Sequence, residues 1–105
     1  MALLHINQNE FKQVVLESNQ VVVVDFYADW CGPCQMLGPV LEEIASKHPS
    51  LKIVKINVDD NMDICSTYHI SSIPNVMIFK DGQMVDKFVG FQSAQKVEEM
   101  LSKYF

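Results

Sequence analysis

Two thiols, Cys31 and Cys34, lie three residues apart in Trp30-Cys31-Gly32-Pro33-Cys34. Before them comes the hydrophobic run 21–26, and after them a segment with helical periodicity. A CxxC pair between a buried strand and a helix N-terminus is placed for thiol–disulfide exchange. A cysteine exposed at that terminus meets unpaired N–H groups and the positive end of the helix dipole, so Cys31 is the expected thiolate and attacking sulfur. Cys34, one turn further in, has fewer routes to solvent and is the expected resolving thiol. Pro33 restricts the dithiol, and Gly32 leaves room for a substrate backbone. Zinc sites also use CxxC, and Cys65 with His69 has a spacing able to complete one. Against zinc, Cys65 falls in the apolar pattern Met62, Cys65, Tyr68, where a free cysteine packs as a small buried hydrophobe.

Asp25 is the second residue with chemical meaning, because a carboxylate among four valines and Phe26 is costly unless paired or protonated. Burial there raises its pKa toward neutrality and makes it a proton acceptor for the Cys34 thiol. Lys55, in the neighbouring expected strand, is a candidate charge partner. The alternative places Asp25 at a strand edge with its side chain in water. His5 and His48 read as surface or strand-edge histidines.

These groups need a scaffold. Asn7 and Glu10 have capping-box spacing, so a helix is expected over 8–16 with Phe11, Val14 and Val15 on its apolar face. The continuous valines predict a fully buried strand over 20–27. Pro33 suits the first turn of a helix that carries Leu37, Val40, Leu41 and Ile44 to Lys47, kinked at Pro39. A second inner strand is expected over 51–58, then a short helix capped by Asp60, with Asp63 at its third position, running through Tyr68. Asn75–Lys80 and 85–89 flank Asp81-Gly82, a type I′ hairpin signal. Ser93 caps a terminal helix whose Val97, Met100, Leu101 and Tyr104 face inward. The order β-α-β-α-β followed by α-β-β-α gives an α/β fold, a mixed sheet with helices on both faces.

A chain of 105 residues is expected to form one domain, 1–105. Its 49% apolar content excludes disorder, while the longest apolar run, four valines, is far short of a membrane span. The first ten residues have no basic start or apolar core, so no secretory segment is expected. Eight Lys and no Arg against 13 acidic residues give a formal charge of -5, which argues against nucleic acid or an anionic membrane as partner. Three cysteines suit a reducing compartment with one reactive pair and one spare thiol. A cytoplasmic monomer without bound metal follows as the expectation.

The sequence resembles the thioredoxin family along its length. WCGPC matches that family's active-site motif, with Val24-Asp25-Phe26-Tyr27-Ala28 before it and Pro39 after it. Lys55-Ile56-Asn57-Val58-Asp59, Ile73-Pro74, Phe79-Lys80-Asp81-Gly82 and Val89-Gly90 resemble its later landmarks. The resemblance implies a thioredoxin-like fold, a five-stranded mixed sheet flanked by four helices. It also implies a redox-active disulfide between Cys31 and Cys34, with Asp25 as buried acid–base residue beside Lys55. Further implications are a cis Pro74 opposite the cysteines, Ile73 backbone groups that pair with an extended substrate, and a docking surface of Trp30, Val58, Val89 and Gly90. Electrons would come from NADPH through a separate thioredoxin reductase or from a ferredoxin-linked one, since no dinucleotide fingerprint is present. Clients would be disulfide-containing proteins such as peroxiredoxins or reductases. Gln35 stands where the family usually has Lys or Arg, Tyr27 where many members have Trp, Ser72 for a common Gly and Asn75 for a common Thr. The leading reading is a general protein-disulfide reductase. An oxidase or isomerase and a redox-switched binding subunit are the alternatives.

Overall fold

The computed structural model describes residues 3–105. Its centre is β2 (Val21–Tyr27), paired in parallel with β3 (Leu51–Asn57) and antiparallel with β4 (Asn75–Lys80). The edge strands are β1 (Leu3–His5), parallel to β3, and β5 (Gln83–Val89), antiparallel to β4, giving the order β1-β3-β2-β4-β5. Central placement explains the unbroken valines, because residues 22–26 of β2 are buried on both faces.

Two helices cover one face. Leu37, Leu41 and Ile44 of α1 (Gly32–Lys47) and Val97 and Leu101 of α3 (Ala94–Leu101) pack on Val23, Ile53, Val76 and Ile78. Ser93 Oγ caps α3 by accepting from the Lys96 N–H, as expected. Tyr104 lies beyond the helix end but packs on the same core. The helix α1 continues through Pro39 to Lys47, although Pro39 cannot donate to the Gln35 carbonyl. On the opposite face, Phe11, Val15, Ile64 and Tyr68 pack on Val22, Val24, Phe26 and Phe79.

That second layer departs from the expectations. The segment expected as one helix over 8–16 is a 3-10 turn (Gln8–Glu10) followed by a π-helical turn (Lys12–Leu16). Its capping box is present, with Asn7 Oδ1 accepting from the Asn9 and Glu10 N–H groups and the Glu10 carboxylate accepting from the Asn7 N–H. The wider winding buries Phe11 and Val15 together and ends on a bond from the Glu17 N–H to the Lys12 carbonyl. Lys52 Nζ takes up the Val14 carbonyl left free at that end.

Asp60 does not cap α2 (Met62–Thr67). Residues 58–60 form a 3-10 turn, so β3 stops at Asn57 rather than Val58, and Asn61 takes the cap position without a side-chain cap. The cap comes from 55 residues away, Gln8 Oε1 accepting from the Asp63 and Ile64 N–H groups. In return the buried Asn61 Oδ1 accepts from the Gln8 N–H at 2.8 Å. The turn and α2 therefore satisfy each other's orphan donors.

His69 ends α2 in the left-handed region, φ 56°. The Ile70 N–H bonds to the Cys65 carbonyl and the His69 N–H to the Ser66 carbonyl, the paired bonds of a Schellman end normally closed by glycine. His69→Gly is expected to stabilise the protein by about 0.5–1 kcal/mol, because the left-handed backbone no longer carries a Cβ. Urea melts at one pH check it, and an unchanged or lowered midpoint would remove the argument.

The β4–β5 turn is the two-residue loop Asp81-Gly82, with φ 52° and 79°. A Cβ on Gly82 would stand 2.9 Å from the Leu16 carbonyl oxygen, so this position needs glycine for space as well as for φ. His48 corrects its expected surface placement. It is half-buried at the end of α1, its Nε2 2.8 Å from a Glu98 carboxylate oxygen and its ring stacked on Phe105 at 4.2 Å.

Candidate functional site

Cys31 is the N-cap of α1 and holds an extended backbone, φ -91° and ψ 112°. Its Sγ accepts a hydrogen bond from the Cys34 N–H at 3.2 Å. Pro33, in the first turn, has no donor to leave unsatisfied there. The sulfurs of Cys31 and Cys34 are bonded to each other, with Cα atoms 5.2 Å apart. The expected contrast in exposure is absent in this oxidised state, where Cys31 is 5% and Cys34 3% exposed. The pair packs with Ala28, and Tyr27, Val58 and Ile73 pack against that cluster. What distinguishes the two is helix position. Cys31 caps the open end and receives its N–H, while Cys34 lies within the first turn.

Ile73-Pro74 is a cis peptide, and the Ile73 carbonyl oxygen lies 3.8 Å from Cys31 Sγ. Gly90, at φ 87°, donates its N–H to the Pro74 carbonyl at 2.8 Å and so stands beside it. A Cβ on Gly90 would meet no atom within 4 Å, so φ rather than space favours glycine there. Val89 pairs with Asn75 in register and is exposed. Trp30 is 72% exposed, yet its Nε1–H is held by a carboxylate oxygen of Asp59 at 2.9 Å. Val58 and Ile73 pack against the cysteine cluster, and Gly90 is bonded to Pro74. Asp59, which orients the indole, figures in the sequence only as the end of the Lys55–Asp59 landmark and has no role assigned there.

Asp25 sits on the central strand with no exposed surface, which rules out the strand-edge alternative. The parallel register places it opposite Lys55, and Lys55 Nζ lies 3.6 Å from Asp25 Oδ2. Neither carboxylate oxygen has a hydrogen-bond partner. Burial therefore dominates and pushes the Asp25 carboxyl from 3.8 up to about 6, against the pull of the Lys55 charge. Gln35 contributes no charge, and its side-chain amide donates to the Asp29 carbonyl at 2.8 Å, tying the start of α1 to the preceding loop.

Cys65 is half-buried rather than buried, packed on the α2 face of the sheet, and burial pushes its thiol pKa up. His69 serves the end of α2. Among the described residues no group of three His, Cys, Asp or Glu side chains is placed to hold a metal ion, and no helix is long and apolar enough to cross a membrane.

The family model described as Thioredoxin matches residues 2–103. A thioredoxin of Pyropia yezoensis is 46% identical over 105 residues, covering 99% of this chain and 98% of its own. Thioredoxin 1 of Synechococcus elongatus is 50% identical over 95 residues, 90% of this chain and 89% of its own. A Staphylococcus aureus thioredoxin is 43% identical over 105 residues, 99% of each chain. With a bonded CxxC pair at the head of α1, this chain is a thiol–disulfide oxidoreductase. It belongs to the thioredoxin family.

Proposed function

We propose that this chain is a general protein-disulfide reductase in which Cys31 attacks and Cys34 resolves. The observation that carries the reading is the bonded pair at the α1 N-terminus, with Cys31 Sγ taking the helix-end N–H and facing the Ile73 carbonyl. In the dithiol state the Cys31 thiolate gains from that N–H and from the helix dipole. It attacks one sulfur of a client disulfide. The client S–S bond breaks, a Cys31–client bond forms, and the other client sulfur leaves as a thiolate that takes a proton. Asp25, its carboxyl held near neutrality, accepts the Cys34 proton. The Cys34 thiolate then attacks Cys31 Sγ, expels the second client sulfur and closes the Cys31–Cys34 disulfide. Two electrons have moved to the client.

The Ile73 carbonyl and the Gly90 neighbourhood offer an extended client strand a backbone edge, with Trp30, Val58 and Val89 as the apolar surround. Return to the dithiol takes two electrons from NADPH through a separate thioredoxin reductase. Peroxiredoxins and reductases with a disulfide in their cycle are fitting clients, and a single domain acting as a cytoplasmic monomer fits the reading.

Insulin disulfide reduction with NADPH and a thioredoxin reductase is the test. Continuous NADPH consumption supports the reductase. Tight stoichiometric binding without turnover would instead mark a redox-switched binding subunit. Equilibration with glutathione separates the oxidase or isomerase alternative. A potential near the thioredoxin reference value of about -270 mV is expected, and a result near -180 mV would exclude the reductase reading.

A further inference from the structure

Lys55 shares its surroundings with more than one carboxylate. It lines two surface clefts, the first bordered by Asp60 and His5 and the second by Asp29, Glu42 and Cys34. A four-carbon stem leaves such an ammonium free to swing toward the wetter carboxylates, since water and exposed acids solvate it better than a buried one. Instead Lys55 Nζ stands 4.5 Å from the centre of the Tyr27 ring and 3.6 Å from Asp25. His5 meets the ring edge-on at 6.1 Å between centroids, with its Nδ1 3.4 Å from the Tyr27 hydroxyl. Above the ammonium is Gly38 of α1, where even a Cβ would come only to 3.9 Å from Nζ. The second cleft, about 360 Å³, is lined by Tyr27, Cys34, Gly38 and Lys55, so the ring and the ammonium border the same space as the Cys34 thiol.

From this geometry we infer that Tyr27 is a positioning residue for the reaction: its ring face seats the Lys55 ammonium inward, over Asp25, against the competing pull of Asp29, Glu42 and Asp60. The inference rests on the proposed proton-accepting role of Asp25 and deepens it. Cation–π attraction works only while the ring is aromatic and neutral. Burial, then the charges of Asp29 and Asp25, raise the Tyr27 phenol, so the ring stays neutral through the physiological range. The charged groups facing the assembly are His5 from β1, Asp25 on β2, Asp29 from the loop after it, Glu42 from α1 and Asp60 from the turn after β3. Of these Asp25 is the group whose charge changes near pH 6, and it is the one the titration follows. His5 meets the Tyr27 hydroxyl through Nδ1 at 3.4 Å.

The test is the titration of the Asp25 carboxyl by carbon-13 NMR in the oxidised full chain. Lys55→Met sets the upper limit, because removing the cation raises the Asp25 midpoint. Tyr27→Leu is expected to raise it in the same direction by about half a pH unit, and Tyr27→Phe, which keeps the ring, to hold it at the wild-type value. In the Lys55→Met background Tyr27→Leu should give no further rise. An unmoved or lowered midpoint in Tyr27→Leu, or the same rise without Lys55, would overturn the inference, since a ring that merely excludes water acts without the lysine. Tyr27→Ile makes the same comparison with a strand-compatible side chain if the leucine variant does not fold. Failure of the parent reading looks different. Asp25→Asn would then leave the pH profile of client reduction unchanged, whatever the NMR midpoints do.

Discussion

Asp25→Asn is expected to stabilise the protein at pH 7–8 by about 1–3 kcal/mol and to slow client reduction in the same range. The stability effect follows from the raised carboxyl pKa, about 6 in the fold against 3.8 for the ordinary group. A carboxyl whose folded pKa is raised holds its proton more tightly in the native state. Its contribution to stability is full below about 3.8 and is lost as pH climbs through about 6. Above pH 7 the ionised group sits in the sheet at a cost of about 3 kcal/mol relative to its neutral form, at 1.36 kcal/mol per unit. Asparagine carries no charge to desolvate, so the cost disappears. Part of the gain is returned because Lys55 loses its inward partner. Lys55, its side chain 13% exposed, recovers part of that interaction from water. Urea melts of both proteins across pH 3–9 should therefore nearly coincide in acid and diverge through pH 4–7, the variant becoming the more stable. Parallel curves, or a wild type more stable at neutral pH, would mean that Lys55 more than compensates the burial. Reduction kinetics that stay unchanged would remove Asp25 from proton transfer.

Asp25 was legible because its sequence neighbours betray it. A carboxylate inside a run that only a central strand can bury has few physical options, and Lys55 was readable as its partner because the adjacent inner strand brings it into register. The bonded thiols, the Asn7–Glu10 box, the Ser93 cap and the Asp81-Gly82 turn were legible for a related reason. Each is a local pattern whose geometry is set within four residues. What escaped depends on residues far apart in the chain. No local rule announces that Gln8 caps α2, that His48 meets Glu98 across two helices, or that Trp30 is anchored by Asp59. The winding of residues 12–16 also escaped. Apolar spacing is compatible with more than one helical pitch, because Phe11 and Val15, four residues apart, share a face in either. The exposure of Cys31 was misjudged because Ile73, 42 residues further on, brings its carbonyl to 3.8 Å from Cys31 Sγ.

Cys34→Ser is expected to convert a transient intermediate into an isolable one, and Cys31→Ser to yield few or no such complexes. Both sulfurs are nearly equally covered in the disulfide state, so exposure does not predict the asymmetry. The helix terminus does. Cys31 caps α1 and receives the Cys34 N–H, an arrangement that favours a thiolate at position 31 and leaves Cys34 one turn inside. With Cys34 replaced by serine, Cys31 still opens a client disulfide. The serine hydroxyl then has neither the acidity nor the sulfur nucleophilicity to close the cycle. Release must await an external thiol, and uncatalysed disulfide rearrangement takes on the order of minutes to hours. In Cys31→Ser the remaining thiol lacks the helix-end N–H and depends on Asp25 for its deprotonation, so it attacks clients slowly. Non-reducing gels of each variant mixed with a disulfide-bonded client, followed by mass spectrometry of the linked species, make the comparison. Equal trapping by the two variants, or linkage through Cys34, would reverse the assignment. It would also relocate the attacking role to the thiol that lines the same cleft as Tyr27 and Lys55.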